Sequence, residues 1–104
     1  MRYAVFNDSD AASNVAVAAK AGYKVRLYGL VLHAASAVNV TIEDTDGTDL
    51  IGLCALVANG NLSLVLPTTG VPYTETADGK GIAILLGGAV QTGGCLVYEY
   101  VQIV

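Results

Sequence analysis

Basic residues, histidine, cysteine and long unbroken apolar runs are what this sequence has least of. Five Lys and Arg stand among 104 positions, against nine Asp and Glu, for a formal net charge of −4. Only Lys20, Lys24 and Arg26 fall near one another. A nucleic-acid groove neutralises several phosphates with clustered cations, so nucleic acid is not an expected partner. The segment MRYAVFNDSD puts acids where the apolar centre of a secretion signal would stand, and no signal peptide is expected. The longest uncharged stretches, Leu50 to Thr74 and Gly81 to Tyr98, are interrupted by Gly, Asn, Pro and Gln. Neither reaches the ~18 continuous apolar residues of a spanning helix, so no membrane partner is expected.

Reactive groups are equally scarce. Catalysis needs a base, a nucleophile and an oxyanion donor within reach of one another. His33 is the single histidine and sits among Leu30, Val31, Leu32 and Ala34, where it reads as a packed or interface side chain. Cys54 and Cys95 are the only cysteines. With no secretion signal they read as free, buried thiols, and nothing local pairs either with His33. The acidic turn Asp44, Asp46, Asp49 fails an EF-hand test. Counted from Asp44, Gly47 falls at position 4 and Ala55 at position 12, where the loop wants Gly at 6 and Glu at 12. A solvated turn is the simpler reading, with a looser carboxylate site left open. Gly79-Lys80-Gly81 and Gly87-Gly88 lack the spacing of a phosphate loop. No enzyme activity, catalytic residue, metal or cofactor is expected.

What the chain has in abundance is apolar surface. Hydrophobic residues make 54%, and about 60% when Gly is counted and Tyr is not, where soluble domains average roughly 45–50%. Charged residues make 13%, about half the usual share. A domain this short exposes about a third of its unfolded surface even after folding. It cannot hide all its apolar groups in its own core. The excess predicts partners or self-association.

The apolar residues alternate with period 2, as strands require. Lys24 to Ala34 opens with Val25 and Leu27 on one side and Lys24, Arg26 and Tyr28 on the other. After Gly29 both faces turn apolar, so the strand is expected to start half-wet and end covered on both sides, with a bulge or a close backbone approach at Gly29. An Ala35-Ser36-Ala37 break leads to Val38 to Asp44, and Asp46-Gly47 signals a hairpin into Leu50 to Ala58. That segment is apolar on both faces. Asn59-Gly60 is the strongest hairpin signal and precedes Leu62, Leu64 and Leu66, stopped by Pro67. Thr68 to Val71 reads as a loop and Pro72 to Thr76 as a short edge segment. Ile82 to Leu86 and Cys95 to Val104 complete the set.

About eight short strands with regular turn signals and no amphipathic helix predict an all-β fold, an antiparallel β-sandwich of jelly-roll type. Residues 22–104 form the sandwich, and residues 1–21 an N-terminal arm or edge strand, with Tyr3 to Phe6 and Asn14 to Lys20 as strand candidates. The expected core is Val25, Leu27, Val38, Val40, Ile42, Leu62, Leu64, Leu66, Ile82, Ile84, Leu86, Leu96 and Tyr98. Tyr98 and Tyr100 share a strand face that fits either core or an aromatic contact patch.

Four stretches together carry a family resemblance: KVRLYGLVLHAASAVNVTI (24–42), LVANGNLSLVLP (56–67), VPYTETADGKGIAILL (71–86) and VQTGGCLVYEYV (90–101). In this order the chain resembles the small β-sandwich virion proteins of tailed bacteriophages, in particular capsid decoration (cement) proteins. The resemblance covers about residues 22–101. It implies a jelly-roll-like structural subunit on the outer surface of the capsid, made in the host cytoplasm. It also implies a homo-oligomer, a trimer in preference to a dimer, docked onto the major capsid protein. Related sandwiches serve in tails, baseplates and head fibres, where contact with a host surface would use loops such as Asp44 to Asp49 and Thr68 to Tyr73. The expected partner contacts are Arg2, Tyr3, Val5, Phe6, Tyr28, Tyr73 and Tyr100.

Overall fold

In the computed structural model, which describes residues 1–65, 67 and 69–103, there is no helix. The described residues form nine strands. They are β1 (Arg2–Asp8), β2 (Ser13–Val17), β3 (Tyr23–Ala34), β4 (Val38–Asp44), β5 (Asp49–Leu56), β6 (Asn61–Leu64), β7 (Thr74–Glu75), β8 (Ile82–Leu86) and β9 (Thr92–Gln102). All pairings are antiparallel and fall into two sheets. The first runs β1-β9-β3-β6, with β7 continuing along the same flank of β3; the second runs β2-β8-β4-β5. The alternating pattern read from sequence thus closes into a two-layer sandwich.

The pairings nest. β4 pairs with β5 across the Thr45–Thr48 turn, β3 with β6, β2 with β8 and β1 with β9. The chain behaves as one long hairpin whose ladder is folded over into two layers. The innermost turn is held by Asp44, whose buried carboxylate accepts the backbone N–H groups of Asp46 at 2.8 Å and Thr48 at 3.1 Å. This is the local bonding Asp offers in turns, and it accounts for the acidic turn without an ion.

Between the layers lie Val25, Leu27, Leu30, Leu32, Val40, Ile42, Ile82, Ile84, Leu86 and Leu96, all buried. Leu62, Leu64 and Tyr98, expected in the core, pack against its margin; Leu66 lies outside the described residues. β3 and β9 slip register between Leu27 and Gly29, so Tyr28 is the extra, bulged residue, at the glycine that signalled it. Two close approaches fix where chain segments meet. A Cβ at Gly81 would fall 2.0 Å from the Val17 carbonyl oxygen, and one at Gly94 1.7 Å from that of Val31. Asn14, buried, donates to the carbonyls of Asp10 at 3.1 Å and Ala12 at 2.9 Å and so pins the crossover from β1 to β2.

Three expectations need correcting. Asn59-Gly60 does not join a hairpin: β5 pairs with β4 in one sheet and β6 with β3 in the other. The Gly60 N–H does bond the Val57 carbonyl at 2.8 Å. However, Asn59 has φ of 61° while Ala58 has no positive φ. A type I′ turn needs both central residues there, and types I and II splay the strands they join. The segment 50–58 is not a strand covered on both faces but the open edge of its sheet. The second half of β3 is covered on one face only, since Val31 and His33 point outward and are exposed.

Candidate association surface

Directly paired residues on antiparallel strands share a face, so the register writes out what the first sheet shows to solvent. Its inner rows include Ala4, Leu96, Leu30 and Leu64, and next to them Phe6, Gly94, Leu32 and Leu62. The outer rows between them are Tyr3, Val97 and Gly29, then Val5, Cys95, Val31 and Ser63. The sheet therefore carries an apolar band across three long strands on the side away from the core. Tyr3 is 74% exposed and Val5 73%.

Polar groups bound this band on both sides. Above it run Asn7, Gly93, His33 and Asn61 in one outer row, with His33 Nδ1 2.8 Å from Asn61 Oδ1 and the Gln91 amide donating to Asn7. Below it, Glu75 accepts from Lys24 Nζ at 3.0 Å and from Arg26 Nε at 3.1 Å, and Tyr28 donates its hydroxyl to Glu99 at 3.2 Å. The hydrogen bond from Lys24, then that from Arg26, holds the Glu75 carboxyl below its ordinary value near 4.5. The Arg26 guanidinium is raised in turn, chiefly by Glu75 and then Tyr28. An apolar centre inside a polar rim is the anatomy of a docking face.

The ETADGKG stretch supplies the lower rim and its scaffolding. Thr76, buried, accepts the Val25 N–H at 2.9 Å and donates to the Lys80 carbonyl at 2.9 Å. The Gly79 N–H bonds the Tyr23 carbonyl at 2.8 Å. The loop next to β8 is thereby fastened to β3, and Glu75 is carried to its two cations.

A second apolar region lies along one lateral side, where β5 and β6 are the outermost strands of their sheets. Leu53 is 63% exposed and Val57 72%. Val65, Val71 and Tyr73 are exposed on the same flank, and Tyr73 donates its hydroxyl to the Val65 carbonyl. No charged residue occurs between Leu50 and Thr74.

The sequence-predicted contacts divide. Tyr3 and Val5 stand in the apolar band and Tyr73 on the lateral side. Phe6, 2% exposed, belongs to the core, and Tyr28, 6% exposed, is enclosed by its own neighbours, so neither presents a free surface. Both were drawn in by aromatic character, which burial satisfies as well as contact does. Arg2 and Tyr100 lie together at one end of the sandwich, the guanidinium carbon 5.8 Å from the ring centroid. There Tyr100 meets Tyr98 and Tyr23 edge-on, Lys20 Nζ lies 4.2 Å from the Tyr23 ring, and the Tyr100 hydroxyl donates to Ala18 O at 2.6 Å. Burial, then the neighbouring Tyr98, pushes the Tyr100 phenol up.

His33 is exposed rather than packed, and Cys54 and Cys95 are free but half-buried rather than buried. The two thiols lie on different sheets. Val31, Leu53 and Val57, in segments that read as apolar on both faces, are exposed.

Among the described residues no group of three or more His, Cys, Asp or Glu could hold a metal ion. An open groove of about 350 Å³ between β4, the end of β5 and Gly87-Gly88 is lined by Ala37, Val38, Asn39, Ala55 and Leu56, with no acid, base or nucleophile. Compared with known family models, curated proteins and solved structures, the chain matches none.

Proposed function

We propose that this chain is a structural subunit of a tailed-phage virion, a capsid decoration protein. It associates with copies of itself and lies against the major capsid protein on the outside of the head. The observation that carries this reading is the apolar band of Tyr3, Val5, Cys95, Val97 and Val31, exposed on the outer face of a sheet and rimmed by polar rows. Exposed apolar area inside a polar rim gains free energy when a partner covers it. The motifs at 24–42, 56–67, 71–86 and 90–101 point to the same family of small sandwiches.

The finer architecture belongs to this reading. The strand orders β1-β9-β3-β6 and β2-β8-β4-β5, with their nested pairings, support the jelly-roll reading, in which a long hairpin wraps into two four-stranded sheets. β7 is then a two-residue addition. The N-terminal 21 residues serve here as the edge strands β1 and β2 rather than as a free arm, and through Tyr3 and Val5 they supply the exposed margin of the docking face.

Stability delivered by such a subunit is additive. A standard contact buries ~1,600 Å², and repetition over a shell multiplies a modest gain per site into resistance against the packaged genome. The test is co-sedimentation of the purified protein with undecorated heads of the phage that encodes it. Saturable binding at a fixed ratio supports the reading, and a folded protein that stays in the supernatant refutes it. A tail, baseplate or head-fibre module meeting the host surface is the second reading. It is favoured by the cluster of Tyr23, Tyr98 and Tyr100 with Lys20 and Arg2 at one end, and it predicts binding to host cells without binding to heads.

A further inference from the structure

The first sheet is built from longer strands than the second, and at one end its core-side face is left partly open. β3 and β9 have twelve and eleven residues, while β2 and β8 have five each. On that face Val25 pairs with Tyr100, Leu27 with Tyr98, and Arg2 stands across from Tyr98 on β1. Val25 and Leu27 are buried, but Tyr98 and Tyr100 are only half-buried and Arg2 is exposed. β2 stops at Val17, and the chain after it crosses this end. Ala18 O accepts the Tyr100 hydroxyl, and Lys20 Nζ lies 4.2 Å from the Tyr23 ring centroid. Of the five Lys and Arg in the chain, three sit in ion pairs, Lys24 and Arg26 with Glu75 and Lys80 with Asp46. The other two are Arg2 and Lys20. Their charged groups lie 5.8 Å and 5.3 Å from the one Tyr100 ring centroid, and among the described residues neither has a carboxylate at ion-pair distance. In a chain of net charge −4, two cations without a counter-charge thus share one aromatic platform.

We propose that this end of the sandwich binds an acidic sugar, a pyranose that carries a carboxylate. The carboxylate is taken by Arg2 and Lys20, the guanidinium offering the planar fork that matches it. The carbon-bound hydrogens of the sugar ring lie against the tyrosine rings, which present an apolar body and a wet tip. The Tyr23 and Tyr98 hydroxyls have no hydrogen-bond partner among the described residues and are not buried, so they are open to the sugar hydroxyls. An acidic peptide fits this end less well. Extended peptides are recognised through main-chain pairing, and main-chain groups here are already engaged. The Tyr23 N–H bonds Lys20 O at 3.1 Å, the Ile103 N–H bonds Gly22 O at 2.9 Å, and Tyr23 O accepts the Gly79 N–H at 2.8 Å. Recognition is left to side-chain charge, hydroxyls and ring faces, which is what a sugar acid uses. The site stands on the core-side face at one end, away from the outer-face band, so it goes beyond the decoration reading and does not depend on it.

Nuclear magnetic resonance titration of the isotope-labelled protein provides the test. A galacturonate oligomer and sialyllactose are the acidic sugars, lactose the neutral control and polyglutamate the acidic peptide. Saturable shifts of the amides from Lys20 to Tyr23 and from Tyr98 to Gln102 are expected with at least one acidic sugar, weakening as salt is raised, and none with lactose or polyglutamate. Which acidic sugar binds tells a polyuronate ligand from a sialylated one. The double variant Arg2→Gln, Lys20→Gln changes two exposed side chains and is expected to keep the rest of the spectrum while losing about tenfold or more in affinity. Lys24→Gln, whose cation is already tied to Glu75, is expected to stay within about twofold. Silence toward both acidic sugars, equal shifts with lactose or polyglutamate, or full affinity in the double variant overturns the proposal. Sugar binding by a protein that ignores phage heads would sink the decoration reading and leave this one standing; head binding without sugar binding would do the reverse.

Discussion

Gly94 approaches the Val31 carbonyl so closely that a Cβ on residue 94 would lie 1.7 Å from its oxygen. The contact sits inside the longest ladder of the fold, where Gly94 pairs with Leu32 on one side and Phe6 on the other. The obstacle is backbone, which cannot rotate away as a side chain can. Gly94→Ala is expected to cost more than about 3 kcal/mol, at the upper end of overpacking effects. Urea unfolding measures it, with Gly93→Ala, whose nearest neighbour to a Cβ is 3.6 Å away, as the mild control.

Thr76 joins β3 to the turn before β8, receiving the Val25 N–H and donating to Lys80 O. Thr76→Val keeps the shape and removes both bonds, leaving buried backbone groups unpaired. A loss of about 1–3 kcal/mol is expected. Thr76→Ser retains the hydroxyl and is expected to recover most of it. The comparison of the two unfolding midpoints separates hydrogen bonding from packing.

Glu75 faces Lys24 and Arg26, and its carboxyl is held below the ordinary value. A carboxyl depressed in the folded state adds stability that is fully present above its unfolded value near 4.5 and is lost as pH falls through the folded value. The unfolding midpoint is therefore expected to drop on acidification below about pH 4.5, and Glu75→Gln is expected to flatten that fall. Because the groups are largely exposed, the change is small and is weakened further by salt.

Val5 stands at the β1 margin of the apolar band, outside the core. Val5→Lys is expected to change stability by less than about 0.5 kcal/mol, as surface substitutions do. Head binding is expected to weaken severalfold, since a charge would be set against the apolar contact. Co-sedimentation titrations of the two proteins measure the difference. His33→Ala in the polar rim is expected to have a smaller effect.

Much of the architecture was written plainly in the residues. Val38–Asp44 was located to the residue by its alternation and Ile82–Leu86 by the glycine-rich turns on both sides of it. Gly29 marked its bulge, and Asp46-Gly47 its hairpin. What alternation could not convey is who covers an apolar face. Leu50 to Leu56 has the composition of a buried central strand, and only the sheet order shows it at an edge with Leu53 bare. Val31 was misjudged for the same reason. Asn59-Gly60 showed a turn truthfully but not its direction, which depends on φ at Ala58 as well as at Asn59. Phe6 was placed on the surface because its segment looked peripheral, whereas one large side chain from an outer strand suffices to cap the core.

The central claim is that the bare apolar band is covered by association. Multi-angle light scattering of the unmodified protein across the micromolar range tests it most directly. The account predicts a particle heavier than one 10.6 kDa chain throughout that range. A stable, soluble species of a single chain at every concentration would contradict it.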